Sequence, residues 1–272
     1  MTKLHMLKSV TDTINTSLIF EGDSFLIAVD GGFPSEAEYL HSYIKELGKT
    51  VKAWFITHLH DDHVSALISI INDYGDIPIE KIYRNFPSEE FLMGSEPQQT
   101  TMSSAELLSL FESSASDAEI PLVTVYRGDT FDFGDIKINV LLSPDHSVEK
   151  DTINNTSCVF SVITGEKKVL ILGDLGPEGG ERLLKLCEKD ELKSDYVQMA
   201  HHGQNGVNKD VYAAVMPKYC LWCTPSWLWD NMGNGGYDTG IFKTVIVRGW
   251  MSELRCAEKH YIMKDGTHII EL

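Results

Sequence analysis

Seven residues, Thr57-His58-Leu59-His60-Asp61-Asp62-His63, set three imidazoles and two carboxylates side by side, directly after the apolar run "VKAWFI". Imidazole and carboxylate suit zinc first, with manganese or iron as alternatives, because N and O donors alone do not select among these metals. Extended backbone sends His58 and His60 to one side, and the turn that follows can bring Asp62 and His63 toward a second point a few ångströms away. The spacing therefore fits two ions better than one. A solvated loop would need five metal-capable side chains in seven positions by accident.

Two later stretches repeat the form of polar groups set directly after an apolar strand. In "KVLILGDLG" the carboxylate of Asp174 ends a run too apolar to hold it, and a buried lone carboxylate is costly unless it is paired or metal-bound. Asp174 could bridge both ions. In "YVQMAHHG", His201 and His202 follow a short strand, and neighbours in an extended segment point opposite ways, so one can ligate while the other faces substrate.

The elements that must position these groups follow from periodicity. "VKAWFI" reads as a buried strand, and Val64, Leu67, Ile68 and Ile71 fall at helical spacing, which puts the cluster on a strand-to-helix turn. Upstream, "TSLIFEGDSFLIAVDGG" predicts a hairpin about Glu21-Gly22-Asp23, then a helix capped by Ser35, striped by Leu40, Tyr43, Ile44 and Leu47, and closed by Gly48. A strand in "IEKIYRNF" leads to a polar stretch, residues 87–104, whose length makes it a lid candidate, and then to a helix around Ala105 to Phe111. The second half repeats the plan. Strands are expected in "LVTVY", "IKINVLL", "SCVFSVIT" and "KVLILGD", the last two joined across Gly165-Glu166-Lys167; helices at 181–188, at 210–215 and within 239–250; a strand in "YCLWCT"; and a terminal hairpin turning on Asp265-Gly266. Strands followed by helices occur twice, so two sheets face to face with helices outside would bury both halves in one core, a single domain over residues 1–272.

Composition narrows the function. The 272 residues are 43% hydrophobic, enough for a sizeable core, and no apolar run approaches the roughly 18 residues of a membrane span. The start "MTKLHMLKSVTDT" lacks the basic and apolar regions of a signal peptide, so a soluble, cytoplasmic protein is expected. With 23 Lys and Arg against 40 Asp and Glu, the net charge of −17 disfavours nucleic acid, although bound cations could hold an anionic substrate locally. The five cysteines are odd in number and scattered, and the lone Cys220-x-x-Cys223 lacks a second pair, so reduced, buried thiols are expected. Trp222, Trp227, Trp229 and Tyr237 beside a Gly-rich run are either an aromatic wall at the mouth of a site or core packing.

"HLHDDH" resembles the H-x-H-x-D-H signature of the metallo-β-lactamase superfamily, and "LILGD" followed by "HHG" resembles its later metal motifs in the ComEC-like branch. The segment "NNTSCVFSVITGEKKVLILGD" is similar to the hydrolase domain of ComEC competence proteins and to related phosphorylcholine esterases. The resemblance implies an α+β fold, a four-layer αββα sandwich of two mixed sheets with helices outside. It also implies His58, His60 and Asp174 on a first ion, and Asp62, His63, Asp174 and one of His201 or His202 on a second, with His202 taken as the ligand. His146, in "LLSPDHSVEK", stands where many members carry a further first-site histidine, and is either that ligand or a solvated loop residue.

The activity so implied is hydrolysis, in which a metal-bridging hydroxide attacks a small ester, foremost a phosphodiester or phosphoester. Asp62 and His201 are the candidate catalytic residues, His201 through a hydrogen bond to the substrate oxygen or protonation of the leaving group. Asp61, His146 and Asn155 are candidates for substrate contact or for supporting a ligand, Asp61 against the alternative of an exposed aspartate at a helix start. A carbonyl-ester, lactone or thioester hydrolase on the same ions, a ComEC-like nuclease and a non-hydrolytic metal protein are the alternatives.

Overall fold

The computed structural model describes residues 2–94 and 102–272. Its strands are β1 (Lys3–Met6), β2 (Leu18–Glu21), β3 (Phe25–Val29), β4 (Thr50–Phe55), β5 (Ile82–Arg84), β6 (Leu122–Thr124), β7 (Thr130–Asp132), β8 (Lys137–Leu142), β9 (Val159–Thr164), β10 (Lys167–Ile171), β11 (Tyr196–Gln198), β12 (Tyr219–Trp222), β13 (Lys259–Ile262) and β14 (His268–Glu271). They form two seven-stranded mixed sheets, in the orders β14-β1-β2-β3-β4-β5-β6 and β13-β12-β11-β10-β9-β8-β7.

Strand alternation explains why both sheets are covered on two faces. In β3, Leu26 and Ala28 point to an outer apolar layer while Phe25, Ile27 and Val29 point between the sheets. In β10, Val169 and Ile171 join the same inter-sheet layer, and Leu170 reaches a third layer under the helices of the second half. Three apolar layers separate four layers of structure, the αββα sandwich. The helices Ala37–Leu47, Asp61–Ser69 and Ser104–Asp117 cover the first sheet, and Pro177–Leu186, Lys209–Val215 and Thr244–Leu254 the second. None of the described helices is long and apolar enough to cross a membrane.

Several local expectations change. β13 and β14 are not a hairpin: β13 pairs parallel with β12 in one sheet and β14 antiparallel with β1 in the other. Asp265-Gly266 does turn the chain, but turn chemistry does not say which sheet edge each strand joins. "LVTVY" closes the first sheet, pairing parallel with β5, instead of opening the second. Ser35 lies inside a 3₁₀ turn, Pro34–Glu36, and the helix after it starts at Ala37 without a side-chain cap. Only Gly165 and Glu166 separate β9 from β10. The other helices begin or end a few residues from the expected bounds. Of the lid candidate, residues 95–101 lie outside the described residues; Ser88 caps a short helix, Glu89–Met93, in the part that is described.

The parallel strands β3, β4, β10, β11 and β12 end at one edge of the sandwich, so the loops leaving them converge, as ligand sites do in sheets of this kind. The backbone amide of Cys158 donates to the carbonyl of Thr57 across the two sheets (2.8 Å), joining the halves at that edge.

Candidate metal centre

Each converging loop contributes polar side chains that the sandwich buries. Asp30 follows β3; Thr57 to His63 run from the end of β4 into the helix Asp61–Ser69; Asp174 follows β10; His201 and His202 follow β11. His58, His63 and His202 are fully buried, and Asp30, Asp61, Asp62 and Asp174 nearly so. Burial of Asp61 removes the reading of it as an exposed aspartate at a helix start.

One ligand atom each from Asp62, His63, Asp174 and His202 lies within 4.8 Å of the others. The separations are 3.0 Å for His202 Nε2 to Asp62 Oδ2, 3.2 Å for His202 Nε2 to Asp174 Oδ2, 3.3 Å for His63 Nε2 to Asp174 Oδ2 and 3.7 Å for His63 Nε2 to Asp62 Oδ2. Neighbouring donors about 2.1 Å from one ion stand roughly 3.0–3.4 Å apart, so these four separations are close to what one small ion needs. His63 Nε2, Asp62 Oδ1 and Asp174 Oδ1 are buried with no hydrogen-bond partner, which is costly in a site meant to hold only itself.

The far side of each imidazole is already committed. His63 Nδ1 donates to Asp30 Oδ2 (2.8 Å), and His202 Nδ1 donates to the carbonyl of Cys223 (3.1 Å). The Thr57 hydroxyl gives its proton to Asp30 Oδ2 (2.8 Å) and so accepts from His58 Nδ1 (3.0 Å). In the neutral form of all three rings the lone pair then falls on Nε2, the tautomer a metal needs. His58 Nε2 stands 3.0 Å from His60 Nδ1, and both residues lie outside the four-residue donor set.

Charge follows the same geometry. Burial opposes protonation of His63, but Asp174, Asp62 and Asp30 outweigh it and raise its pKa well above the ordinary value. For His202 burial is likewise outweighed, by Asp174 and Asp62, and its pKa rises to about 9. Burial lowers the pKa of His58, helped by His63 and His60, and burial also lowers that of His60 and His201. In the chain alone, protonated histidines neutralise the carboxylates where cations would otherwise do so.

Residues 200–203 are not extended, as the sequence suggests, but a left-handed turn, with φ of 52° at His201 and 54° at His202. Two successive non-glycine residues in this region are strained, and Gly203 (φ +77°) completes the turn where a Cβ would come 2.4 Å from the Trp222 ring. The turn still separates the pair. His202 enters the donor set, whereas His201 keeps its Nε2 3.8 Å from Asp174 Oδ2, and 15% of its side chain is exposed. Gly173 (φ +57°) lets Asp174 leave β10 against Thr57, and Gln198 braces the ends of β10 and β11 by accepting from the Leu172 amide and donating to the carbonyls of Gly173 and Met199.

His146 is exposed and stacks on Phe91 (5.0 Å between ring centroids), outside the four-residue donor set. Asn155 donates to the carbonyl of Lys150 and accepts from the Gly179 amide, so its amide ties a loop to the start of the helix Pro177–Leu186. The sequence reading missed Asp30, although "LIAVDGG" carries the same signal as "LILGD", an aspartate at the end of a strand too apolar for it. All five cysteines are free; Cys220 faces the outer apolar layer and Cys223 the inter-sheet layer, so the C-x-x-C pair does not converge.

Beside His201 opens a cavity of about 450 Å³ walled by Ile14, Phe33, Trp227 and Phe242, with Thr13, Gln204 and Asn205. This divides the aromatic loop. Trp227 faces the cavity, Trp222 is core with Trp229 packed edge-on against it, and Tyr237 is exposed.

A family model for the metallo-beta-lactamase superfamily matches residues 10–212. Among solved structures, the chain is similar to the metallo-beta-lactamase fold protein YhfI from Bacillus subtilis (10% identity, all of both chains, TM-score 0.57). It is also similar to Igni18, a metallo hydrolase from the archaeon Ignicoccus hospitalis (13%, all of both chains, TM-score 0.54), and to CmlA beta-hydroxylase in its E377D form (13%, all of this chain and 54% of that one, TM-score 0.59). No curated protein sequence matches it.

Proposed function

This chain belongs to the metallo-beta-lactamase superfamily, and from that premise we propose that it is a binuclear metal-dependent hydrolase of a small ester, a phosphodiester first. The observation that carries the reading is the buried four-residue donor set of Asp62, His63, Asp174 and His202, with unpartnered oxygens on both aspartates, beside the hydrogen-bonded His58–His60 pair. Asp62, His63, Asp174 and His202 would hold one ion, and His58, His60 and Asp174 the other. Zinc is the metal that the donor chemistry suits first, with manganese or iron as alternatives.

Such ions, when bound, supply Lewis acidity and a nucleophile drawn from water at neutral pH. The chain's own residues do the rest. Asp30 and Thr57 hold His63 and His58 in the ligating tautomer, and the Cys223 carbonyl holds His202. His201, partly exposed beside the donor set and with its pKa lowered by burial, offers an imidazole to the substrate oxygen or the leaving group. No Lys or Arg is among the described residues lining the adjoining cavity, so a phosphodiester, whose single charge the ions can meet, fits better than a dianionic monoester. The ComEC-like likeness of "NNTSCVFSVITGEKKVLILGD" supports the same choice, while the net charge of −17 argues against a nuclease. The uncharged cavity favours one second reading, a carbonyl ester, lactone or thioester on the same ions.

The test is elemental analysis of the purified chain with hydrolysis of bis(p-nitrophenyl) phosphate, p-nitrophenyl acetate and a γ-lactone, for wild type and Asp174→Ala. Two ions per chain and phosphodiester turnover that the variant loses support the reading. Turnover of only the carbonyl substrates moves it to the second, and a chain that takes up no metal overturns both.

A further inference from the structure

The cavity beside His201 is walled by segments that are distant in sequence and fixed from behind. Trp227 donates its indole N–H to the carbonyl of Asp12 (2.9 Å), and the Asp12 carboxylate accepts from the amide and hydroxyl of Ser226. Behind Phe242, the buried Asn231 accepts from the Phe242 amide (3.1 Å) while donating to Asp238, and the Phe242 ring lies 5.6 Å from that of Trp227. The loop that carries Ile14 is gripped by the buried Glu36 carboxylate, which accepts from the Ser9 hydroxyl and the amides of Val10 and Thr11. These rings are therefore set in place before anything binds, and about 450 Å³ lies within the ~300–1,000 Å³ of small-molecule sites.

The chemistry of the wall selects what would fill it. Among the described residues lining it, none is Lys, Arg, Asp or Glu, so neither an anionic nor a cationic group finds a counter-charge there. Gln204 is 94% buried, and its Oε1, the Oδ1 of Asn205 and the Nδ1 of His201 have no partner in the protein. Unpaired polar atoms on an otherwise apolar wall need a ligand that brings hydrogen-bonding groups of its own.

We propose that this cavity binds an uncharged, ring-bearing arm of the substrate, its face against Trp227, Phe242 and Phe33 and a hydrogen-bonding edge against Gln204 and Asn205. The assignment of this arm to a substrate rests on the hydrolase reading, whereas its binding does not. Trp227 and Gln204 are then the residues that set specificity, Trp227 for the ring and Gln204 for its polar edge.

The experiment is titration calorimetry on the full chain after metal removal with EDTA, so that neither turnover nor metal ligation contributes. Four probes share one ring system: 2-naphthamide, naphthalene, 2-naphthoate and 2-naphthyltrimethylammonium. The amide is expected to bind at least tenfold tighter than either charged probe. Trp227→Ala should lower its affinity at least tenfold, Trp227→Phe should retain most of it, and Gln204→Leu should erase the preference for the amide over naphthalene. Equal or tighter binding of the anion or the cation, or wild-type affinity in Trp227→Ala, would overturn the proposal; thermal melts of each variant separate lost binding from lost folding. Selective amide binding by a chain that hydrolyses no ester would keep the cavity assignment and sink the hydrolase reading, and the converse pair of results would do the reverse.

Discussion

The Nδ1 of His63 lies 2.8 Å from Oδ2 of Asp30, a carboxylate delivered by the neighbouring parallel strand. Asp30 also accepts the amide and the hydroxyl of Thr57, both at 2.8 Å, and through that hydroxyl it fixes His58. One buried carboxylate thus orients a histidine of each proposed ion site. Asp30→Asn, which keeps the shape but not the charge, is expected to weaken metal affinity about 10–100-fold and to lower kcat more than it raises KM. Asp30→Ala should also strip three donors of their acceptor, at a cost on the order of 3 kcal/mol or more in stability. Competition with a chelator and thermal melts measure both. Unchanged metal affinity in Asp30→Asn would mean that this contact is structural only.

His201 and His202 are adjacent in sequence but differ in what their removal should do. His202→Gln takes one corner from the donor set, so metal content is expected to fall from two ions per chain toward one, with hydrolysis lost. His201→Gln should leave both ions bound and lower kcat about 10²-fold, the usual scale for a group that donates to a reacting oxygen. Metal content measured beside kcat decides this, and loss of an ion in His201→Gln would reverse the two roles.

The site was more legible than parts of the fold. "HLHDDH", Asp174 and the His201–His202 pair stand out because they break apolar strands, and a strand end is where a parallel sheet delivers its ligands. Asp30 breaks its strand in the same way, yet a single aspartate before Gly-Gly also reads as a turn, and only its partner Thr57, 27 residues on, separates the two. The hydrophobic layers could be read from strand alternation, whereas the assignment of β6, β13 and β14 to sheet edges could not, since edge choice depends on long-range pairing. The left-handed backbone of His201 and His202 likewise has no local signature, being imposed by Trp222 and Thr224 packed beneath the turn.

The cysteines give a prediction independent of metals. Burial pushes the thiols of Cys158, Cys220 and Cys223 up to about 12, and burial also raises those of Cys187 and Cys256. Only Cys256 is more than slightly exposed. Native protein treated with dithiobis(nitrobenzoate) at pH 8 should release at most about one equivalent of thiolate quickly, and all five only after denaturation. Rapid reaction of two thiols that then form a disulfide would instead reveal a working Cys220–Cys223 redox pair.

The metal-free chain should lose stability as the solution becomes alkaline. His202 is raised to about 9 and His63 is also raised, in each case because the neighbouring carboxylates outweigh burial. A histidine whose folded pKa exceeds its unfolded value of about 6.5 contributes stability that is complete below that value and is lost as pH rises through the folded pKa. Asp62 and Asp174 are held low, burial being outweighed chiefly by His63 and His202, so their contribution is present above about pH 4 and disappears only in acid, outside this window. The Tm of the chelated protein is therefore expected to fall between about pH 6.5 and pH 9. With ions bound, the same histidines are neutral ligands and the slope should flatten. His202→Gln should flatten it in the chelated form too, because one of the two protons is no longer there to lose. A chelated wild-type protein whose Tm holds or rises across this range would show that its carboxylates are neutralised in some way other than by His63 and His202.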